Sequence, residues 1–205
     1  MKNVTIVKTG VANLASVIAG FQRIGFVPNL SNTASELERA ETVVLPGVGA
    51  FGAAMSELHS AHLVPILQQR VKNERPLLCI CLGLQLLAEQ SEESPGVAGL
   101  TAVPTKVQKF NSRSTEHCKV PQLGWNQVRP DAHTHFVQEG YAYFANSYAV
   151  FDQPKGWNVA WAEYAGCRFV AAMERGPLLA CQFHPELSSS FGLDLLSRWA
   201  TESRR

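Results

Sequence analysis

Residues 77–87 read Leu77-Leu78-Cys79-Ile80-Cys81-Leu82-Gly83-Leu84-Gln85-Leu86-Leu87. The first four are continuously apolar, which is typical of a strand buried on both faces of a parallel sheet. The residues that follow have the character of a helix, with Gly83 two positions after Cys81. A sharp turn from strand to helix lifts the side chain at its apex out of the sheet. The stretch therefore predicts an α/β fold with a thiol at a strand-to-helix elbow.

Upstream of this elbow, apolar runs and helical patterns alternate along the chain. The pattern predicts strands at residues 4–7, 26–30, 42–45 and 77–80, and helices at residues 13–24, 35–40 and 51–72, the last with a break near Pro65. Alternating strands and helices indicate a parallel sheet that is covered on both faces. The first half of the chain is therefore predicted to be α/β.

After Gly99 the sequence pattern changes to strand-like runs with few helical segments between them. These runs are residues 106–110, 125–128, 141–150, 157–164, 169–173 and 178–183. A final amphipathic helix is predicted at residues 189–203. Residues 1–205 should thus form one α/β domain with a mainly parallel central sheet, flanking helices and a strand-rich, partly antiparallel second half.

Composition narrows the classes of function. The 205 residues are 46% hydrophobic and 17% charged, an ordinary globular balance within the size of one domain. Lys plus Arg number 18 against 17 Asp plus Glu, so no basic excess is available to neutralise nucleic acid. The apolar start is too short for a signal peptide, and no segment approaches the ~20 residues that span a bilayer. We expect a cytoplasmic protein that binds neither nucleic acid nor membrane.

The cysteines do not form a recognisable framework. Five of them stand at positions 79, 81, 118, 167 and 181 without a repeated spacing. An odd number without a pattern argues against structural disulfides and against a four-ligand zinc site. We therefore predict reduced thiols, no metal and no cofactor.

Cys81 is the candidate nucleophile. The helix N-terminus after it offers backbone N–H groups and a positive dipole, which stabilise a thiolate. Cys79 competes, but it lies inside the predicted strand, where burial raises the pKa of a thiol. We interpret Cys79 as core. The alternative for Cys81 is also a buried core thiol, as most free cysteines are.

A nucleophilic cysteine needs a base that is close in space, though usually far in sequence. Of six histidines, only His184 ends a predicted buried strand and has a carboxylate, Glu186, two residues later. We predict that His184 is the base and that Glu186 orients it. The histidines at positions 59, 62, 117, 133 and 135 are interpreted as surface residues without a metal.

The motif Cys81-x-Gly83-x-Gln85, followed by His184-Pro185-Glu186, resembles the class I, triad-type glutamine amidotransferases over almost the whole chain. Three further motifs look like the glutaminase subunits of imidazole glycerol phosphate synthases, of L-histidine biosynthesis: Pro46-Gly47-Val48-Gly49-Ala50-Phe51, Gly124-Trp125-Asn126 and Gly192-Leu193-x-Leu195-Leu196. This resemblance implies hydrolysis of L-glutamine to glutamate and ammonia. It also implies a heterodimer in which a cyclase subunit receives the ammonia and makes imidazole glycerol phosphate and aminoimidazole carboxamide ribonucleotide.

The resemblance also implies roles for individual residues. Backbone N–H groups of Leu82 and of Val48 or Gly49 would form the oxyanion hole, in a glycine loop that aligns when the partner binds its substrate. Trp125 and Asn126 would face the partner or the ammonia path. The implied glutamine-binding residues are Gly49, Gln85, Glu93, Ser147 and Tyr148.

Plainer alternatives stay open for these segments. The Gly47-Val48-Gly49 loop could be an ordinary turn, and the Gly124-Trp125-Asn126 segment a strand with a core tryptophan. Glu93 could be a solvated acid, and Ser147 and Tyr148 simple strand residues.

Five residues depart from the usual pattern of the family, namely Lys8, Cys79, Gln122, Asn146 and Leu187. Cys79 is small enough to leave the elbow intact. The departures at Gln122, Asn146 and Leu187 suit a paralogous glutaminase that feeds another cyclase-like synthase. A non-catalytic scaffold of the same fold is the other alternative.

Overall fold

A computed structural model of the chain describes residues 2–8, 13–112 and 119–204. His117 and Cys118, interpreted above as a surface histidine and a free thiol, lie outside these ranges. The elements of the first half are β1 (Asn3–Val7), α1 (Leu14–Arg23), β2 (Val27–Ser31), α2 (Ala34–Arg39), β3 (Val43–Gly47), α3 (Phe51–Ser60), α4 (Val64–Lys72), β4 (Leu77–Cys81) and α5 (Leu82–Leu86). Those of the second half are β5 (Gln90–Ser91), β6 (Lys106–Lys109), β7 (Gln122–Pro130), β8 (Gly140–Asn146), β9 (Tyr148–Ala149), β10 (Asn158–Tyr164), β11 (Cys167–Arg175), β12 (Leu178–Cys181) and α6 (Ser189–Glu202).

The main sheet has nine strands in the order β2-β1-β3-β4-β12-β11-β10-β7-β8. The first five of these are parallel to one another, and the remaining pairings are antiparallel. The predicted α/β fold, with a parallel first half and a partly antiparallel second half, is confirmed. The pairing of β12 beside β4 joins the two halves and brings the carboxyl ends of these two strands together.

The sheet separates the apolar core into two layers. One layer includes α1 and α6, whose Phe21 and Trp199 are fully buried. The other layer includes α3 and α4, whose Met55 and Leu67 are fully buried. Both faces of β3 and β4 are therefore covered, which explains their continuous apolar runs. Among the described residues, none of the helices combines the length and apolarity needed to cross a bilayer.

The predicted helix at residues 51–72 is two helices. α3 ends at Ser60, His62 takes a positive φ of 57°, and α4 begins at Val64. Pro65 does not break a helix here, because it lies in the first turn of α4, where its missing N–H has no intrahelical partner to lose. The break therefore precedes the proline.

The predicted strand at residues 141–150 is also divided. β8 belongs to the main sheet, whereas β9 pairs with β6 in a small sheet of order β5-β6-β9. The two-residue β5 was not predicted, because it is too short to show a periodic pattern. Ser147 lies at the divergence of β8 and β9 and faces the cavity described below.

Candidate active site

The structure contains the predicted elbow at the end of β4. Cys81 is the last residue of the strand and takes φ 53° and ψ −107°, a conformation that costs a residue with a side chain of the order of 1–3 kcal/mol. α5 begins at the next residue. The turn directs the Cys81 side chain to the carboxyl edge of the sheet, where it lines a cavity.

Gly83 permits the close contact between α5 and β3 on which this elbow depends. A Cβ atom at position 83 would stand 2.1 Å from the carbonyl oxygen of Leu45, a distance that real Cβ atoms do not adopt. Gly47 is similar, because a Cβ there would stand 2.8 Å from the Cβ of Leu82. Both glycines of the motifs therefore let the loop after β3 lie against the start of α5.

We expect Gly83→Ala to destabilise the protein by about 2–3 kcal/mol, because β3 or α5 must move to admit the methyl group. The matched control is Gly20→Ala in α1, where a Cβ would meet side-chain atoms at 3.3 Å and 3.4 Å. That variant should change stability by less than about 1 kcal/mol, since helix propensity offsets the tight contact. Urea unfolding of both variants measures the difference. Equal stability of the two variants would contradict the packing argument.

His184 and Glu186 lie beside Cys81 because β12 neighbours β4. His184 follows the end of β12, and its Nδ1 lies 2.9 Å from Oε1 of Glu186. The two side chains are only 7% and 2% exposed. Burial alone would lower the pKa of His184, but hydrogen bonds and charge interactions with Cys81 and Glu186 outweigh it and raise the pKa to about 10. The arrangement favours a protonated imidazole between a sulfur and a carboxylate.

The turn that carries His184 is held from two sides. Ser188 Oγ donates to the carbonyl oxygen of His184 at 2.6 Å and accepts from the backbone N–H of Tyr143 at 2.9 Å. At Gly192, in α6, a Cβ would stand 1.9 Å from the carbonyl oxygen of Pro185. This close approach explains why a glycine follows the His-Pro-Glu motif. The predictions from the sequence did not include Ser188.

A cavity of about 290 Å³ opens in front of Cys81 and His184. Its lining contains all the residues predicted for the oxyanion hole and for glutamine binding. The lining residues are Val48, Gly49, Cys81, Leu82, Gln85, Glu93, Pro121, Ala145, Asn146, Ser147, Tyr148 and His184. A larger cavity of about 720 Å³ lies at the opposite, amino ends of β4 and β12, away from the thiol. Glu186 lies behind His184, and Trp125 and Asn126 lie outside the cavity lining.

Glu93 is tied to the loop that follows β3. Its Oε2 accepts the backbone N–H of Phe51 at 2.7 Å, and Ser94 Oγ accepts that of Gly52 at 3.0 Å. α3 has no side-chain cap of its own at Ala50, so this distant segment caps it. Glu93 is thus half-buried and bonded, and the alternative of a merely solvated acid is wrong.

Two buried amides extend from the cavity to the sulfur. Gln85 Nε2 donates to the carbonyl oxygen of Tyr148 and to Oε1 of Gln182, both at 3.0 Å. Gln182 Nε2 lies 3.7 Å from Cys81 Sγ. Gln182 was not among the predicted site residues. Its position two residues before His184 is the signal that could have found it, since alternate residues of an extended segment face the same side.

Within residues 2–8, 13–112 and 119–204, the other thiols and histidines do not join this site. Cys79 is buried inside β4, and burial raises its pKa, as expected of a core thiol. Cys181 is likewise buried with a raised pKa. The histidines at positions 59, 62, 133 and 135 are exposed. Within the described ranges, no group of three His, Cys, Asp or Glu side chains could hold a metal ion.

An apolar strip runs along β7 and β8 from the mouth of the cavity. Leu123, Trp125 and Tyr141 are 67%, 55% and 59% exposed, so the alternative of a core tryptophan is wrong. Across the ladder, Trp125 lies opposite Tyr143, and Leu123 lies opposite Ala145, which lines the cavity. We call these five residues the apolar strip. Large exposed apolar groups that adjoin one another mark interaction surfaces.

Asn126 does not share the exposure of this strip. Its Nδ2 donates to the backbone carbonyl of Glu163 at 2.7 Å, and its Oδ1 accepts from the backbone N–H of Gln127 at 2.7 Å. The side chain therefore ties β7 to the neighbouring β10.

Of the five departures from the family pattern, Cys79 lies in β4, two lie in the β7–β8 ladder, and the other two are exposed. Gln122 and Asn146 are directly opposite each other in the β7–β8 ladder and are 3% and 5% exposed. Gln122 Oε1 and Asn146 Oδ1 have no hydrogen-bond partner among the described residues. Leu187 is 40% exposed beside Glu186, and Lys8 is exposed at the end of β1.

Comparison with known proteins identifies the class. The family profile described as "Glutamine amidotransferase class-I" matches residues 11–200. The chain belongs to this family, and the resemblance predicted from its motifs is confirmed. This chain is 39% identical over 199 residues to imidazole glycerol phosphate synthase subunit HisH of Shouchella clausii, and the match covers 95% of each chain. It is 34% identical over 210 residues to the HisH subunit of Microcystis aeruginosa, covering 100% of this chain and 98% of the relative.

Solved structures agree on the fold. A glutamine amidotransferase crystal structure superimposes with a TM-score of 0.76 at 17% identity, covering 98% of both chains. A chain of the PurLQS structure from Thermotoga maritima superimposes with a TM-score of 0.69 at 14% identity, covering 96% of both chains. These likenesses concern the fold.

Proposed function

We propose that this chain is the glutaminase subunit of an imidazole glycerol phosphate synthase, with Cys81, His184 and Glu186 as its catalytic triad. The observation that carries the proposal is the 2.9 Å contact of His184 Nδ1 with Glu186, behind an elbow cysteine that contacts the same imidazole. This is the order of nucleophile, base and orienting carboxylate used for acyl transfer. The names of the relatives direct the proposal to histidine biosynthesis.

In the proposed reaction, the sulfur of Cys81 attacks the side-chain amide carbon of glutamine. The carbonyl oxygen becomes an oxyanion, which the backbone N–H of Leu82 and one N–H of Val48 or Gly49 would stabilise, each by about 3–4 kcal/mol. His184 gives its proton to the amide nitrogen, and ammonia leaves as the tetrahedral intermediate collapses to a glutamyl thioester. Water then attacks the thioester with His184 as base, releasing glutamate and restoring the thiol.

Glutamine would bind in the cavity in front of the thiol through Gly49, Gln85, Glu93, Ser147 and Tyr148. The Oε2 of Glu93 already accepts an N–H of the protein, which leaves Oε1 for the ammonium group of the substrate. Both N–H groups of Gln85 donate within the protein, so this side chain offers the substrate its Oε1 as an acceptor. An amino acid held between these groups would present its side-chain amide to the sulfur.

The ammonia would pass to a partner. Free ammonia is protonated in water and loses its nucleophilicity, and the relatives are named as subunits of a synthase, so the acceptor site would belong to a separate cyclase subunit. The apolar strip adjoins the mouth of the cavity, and Trp125 on it is the kind of residue that dominates interface energy. We propose that this strip contacts the cyclase, whose docking aligns the Gly47-Val48-Gly49 loop.

The direct test measures glutamate release by the purified chain alone, with the histidine-pathway cyclase subunit, and with the cyclase and its nucleotide ligand. We expect strong stimulation by the complete complex. Trp125→Ala should weaken the affinity for the cyclase by about 30-fold, which corresponds to the loss of an anchor residue worth about 2 kcal/mol. Stimulation of this variant should therefore need a higher concentration of cyclase. Leu30→Ala is the matched control, because Leu30 is 43% exposed on β2, at the far side of the sheet.

Two other results would point elsewhere. Glutamate release that does not respond to the cyclase would favour a paralogous glutaminase for another cyclase-like synthase. The unpartnered carbonyl oxygens of Gln122 and Asn146, at departures from the family pattern, are the observation that favours this second candidate. Cyclase binding without any hydrolysis would indicate a non-catalytic scaffold.

A further inference from the structure

Gln182 is a fully buried amide that contacts the sulfur of the proposed nucleophile. It follows β12 and is 0% exposed. Its Oε1 accepts from Gln85 Nε2 at 3.0 Å, and its Nε2 lies 3.7 Å from Cys81 Sγ, within reach for a hydrogen bond to sulfur. Neither the reaction scheme above nor the residues predicted from the sequence require it.

The orientation of this amide follows from its neighbours. A backbone carbonyl can only accept, so the carbonyl of Tyr148 requires Gln85 to present its Nε2. The same Nε2 faces Gln182, which must therefore turn its oxygen towards Gln85. The NH₂ group of Gln182 then has to face Cys81. A backbone carbonyl thus determines, through two side chains, that the sulfur meets a donor.

A hydrogen-bond donor beside Cys81 Sγ stabilises the negative charge of a thiolate more than it stabilises the neutral thiol. A neutral thiol is a weak acceptor, whereas hydrogen bonds to an ionised group are about twice as strong as those between neutral groups. The contact is buried, and a low local dielectric strengthens it further. His184 contacts the same sulfur. Two residues of one extended segment, at positions 182 and 184, therefore both reach the sulfur.

We propose that Gln182 donates a hydrogen bond to the Cys81 thiolate, stabilises it before attack, and fixes the direction of the sulfur at the elbow. Gln85 is a positioning residue for Gln182, in addition to its proposed contact with glutamine. The inference rests on the proposed function, because it assigns Cys81 as the nucleophile. It goes further by giving the sulfur a second, uncharged donor.

The test is the pH profile of alkylation of Cys81 by iodoacetamide, read by peptide mass mapping from about pH 5 to about pH 10. Gln182→Met keeps the length of the side chain but removes the donor. We expect the midpoint of the profile to rise by about one pH unit, which slows alkylation roughly tenfold below the midpoint. The matched control is Gln68→Met, which removes an amide that donates to the carbonyl of Leu100, outside the cavity. Its profile should match that of the parent protein.

A second variant covers the case in which Gln182→Met does not fold. Gln182→Leu has a similar side-chain volume and carries no hydrogen-bond donor. Its midpoint should rise about as far, and an unchanged midpoint in a folded Gln182 variant overturns the proposal. Alkylation needs no glutamine, so failure of the proposed function would appear separately, as absent glutamate release by the parent complex.

Discussion

Cys81→Ala is expected to abolish glutamate release from glutamine, with a loss of roughly 10⁴-fold or more in turnover. The proposed reaction forms a thioester at this sulfur, and no other group at the elbow can accept the glutamyl chain. The strained backbone at φ 53° and the beginning of α5 at the next residue place this thiol, alone among the thiols of the described residues, in the lining of the cavity. Turnover in the complete complex with the cyclase measures the loss.

Cys79→Ala is the matched control, because Cys79 lies two residues earlier on the same strand. Its thiol is buried, and burial raises its pKa, so it cannot replace Cys81 as a nucleophile. We expect most of the activity to remain in this variant, and a covalent glutamyl adduct to form on Cys81 alone. Equal losses in the two variants would show that the strand, rather than the thiol, matters for activity.

Glu186→Gln should lower turnover by roughly 10³-fold while the fold persists. The carboxylate Oε1 contacts His184 Nδ1 at 2.9 Å and thereby holds the ring with Nε2 free for proton transfer. In this variant, the side-chain amide at position 186 can donate its N–H to Nδ1 of His184, which stabilises the wrong tautomer of the imidazole. Glu38→Gln, at an exposed position of α2, is the control for loss of one carboxylate. A Glu186→Gln variant with full turnover would remove Glu186 from the proposed triad.

The same variant should change how stability depends on pH. Folding raises the pKa of His184 from its usual 6.5 to about 10, and Glu186 is one of the causes. The stabilisation from this shift is complete below about pH 6.5 and is lost as the pH rises through about 10. The stability gap between the parent and Glu186→Gln should therefore be large at pH 6 and close towards pH 10. Urea unfolding at several pH values measures it, and a constant gap would contradict the linkage.

Local patterns were sufficient for most of the fold. Continuous apolar runs identified β3 and β4, which are covered on both faces, and helical periodicity identified α1 and α6. The observed boundaries of helices and strands differ from the predicted ones where a local sequence pattern is compatible with two structures. Pro65 suggested a break but begins α4 instead, because a proline is equally acceptable in a first helical turn. The run at residues 141–150 was divided because β9 pairs with β6, a partner that no local pattern specifies.

The contacts around the candidate site show the same limit. The hydrogen bond from Gln85 to Gln182 joins residues 97 positions apart, and the bond from Phe51 to Glu93 joins residues 42 positions apart. Such pairs have no signature in either segment, because each side chain alone has many possible partners. These contacts can therefore be identified only from the assembled tertiary structure.

What the sequence by itself determined is the set of local conformations. An apolar strand, a cysteine and Gly83 specify an elbow, because only glycine admits the carbonyl of Leu45 at 2.1 Å from where a Cβ would be. What only the tertiary structure decided is adjacency. The parallel pairing of β12 with β4 brings His184 to Cys81 across 103 residues, and it arises from burial of both strands in one sheet. Backbone conformation depends on neighbours in the chain, whereas this pairing depends on the whole core.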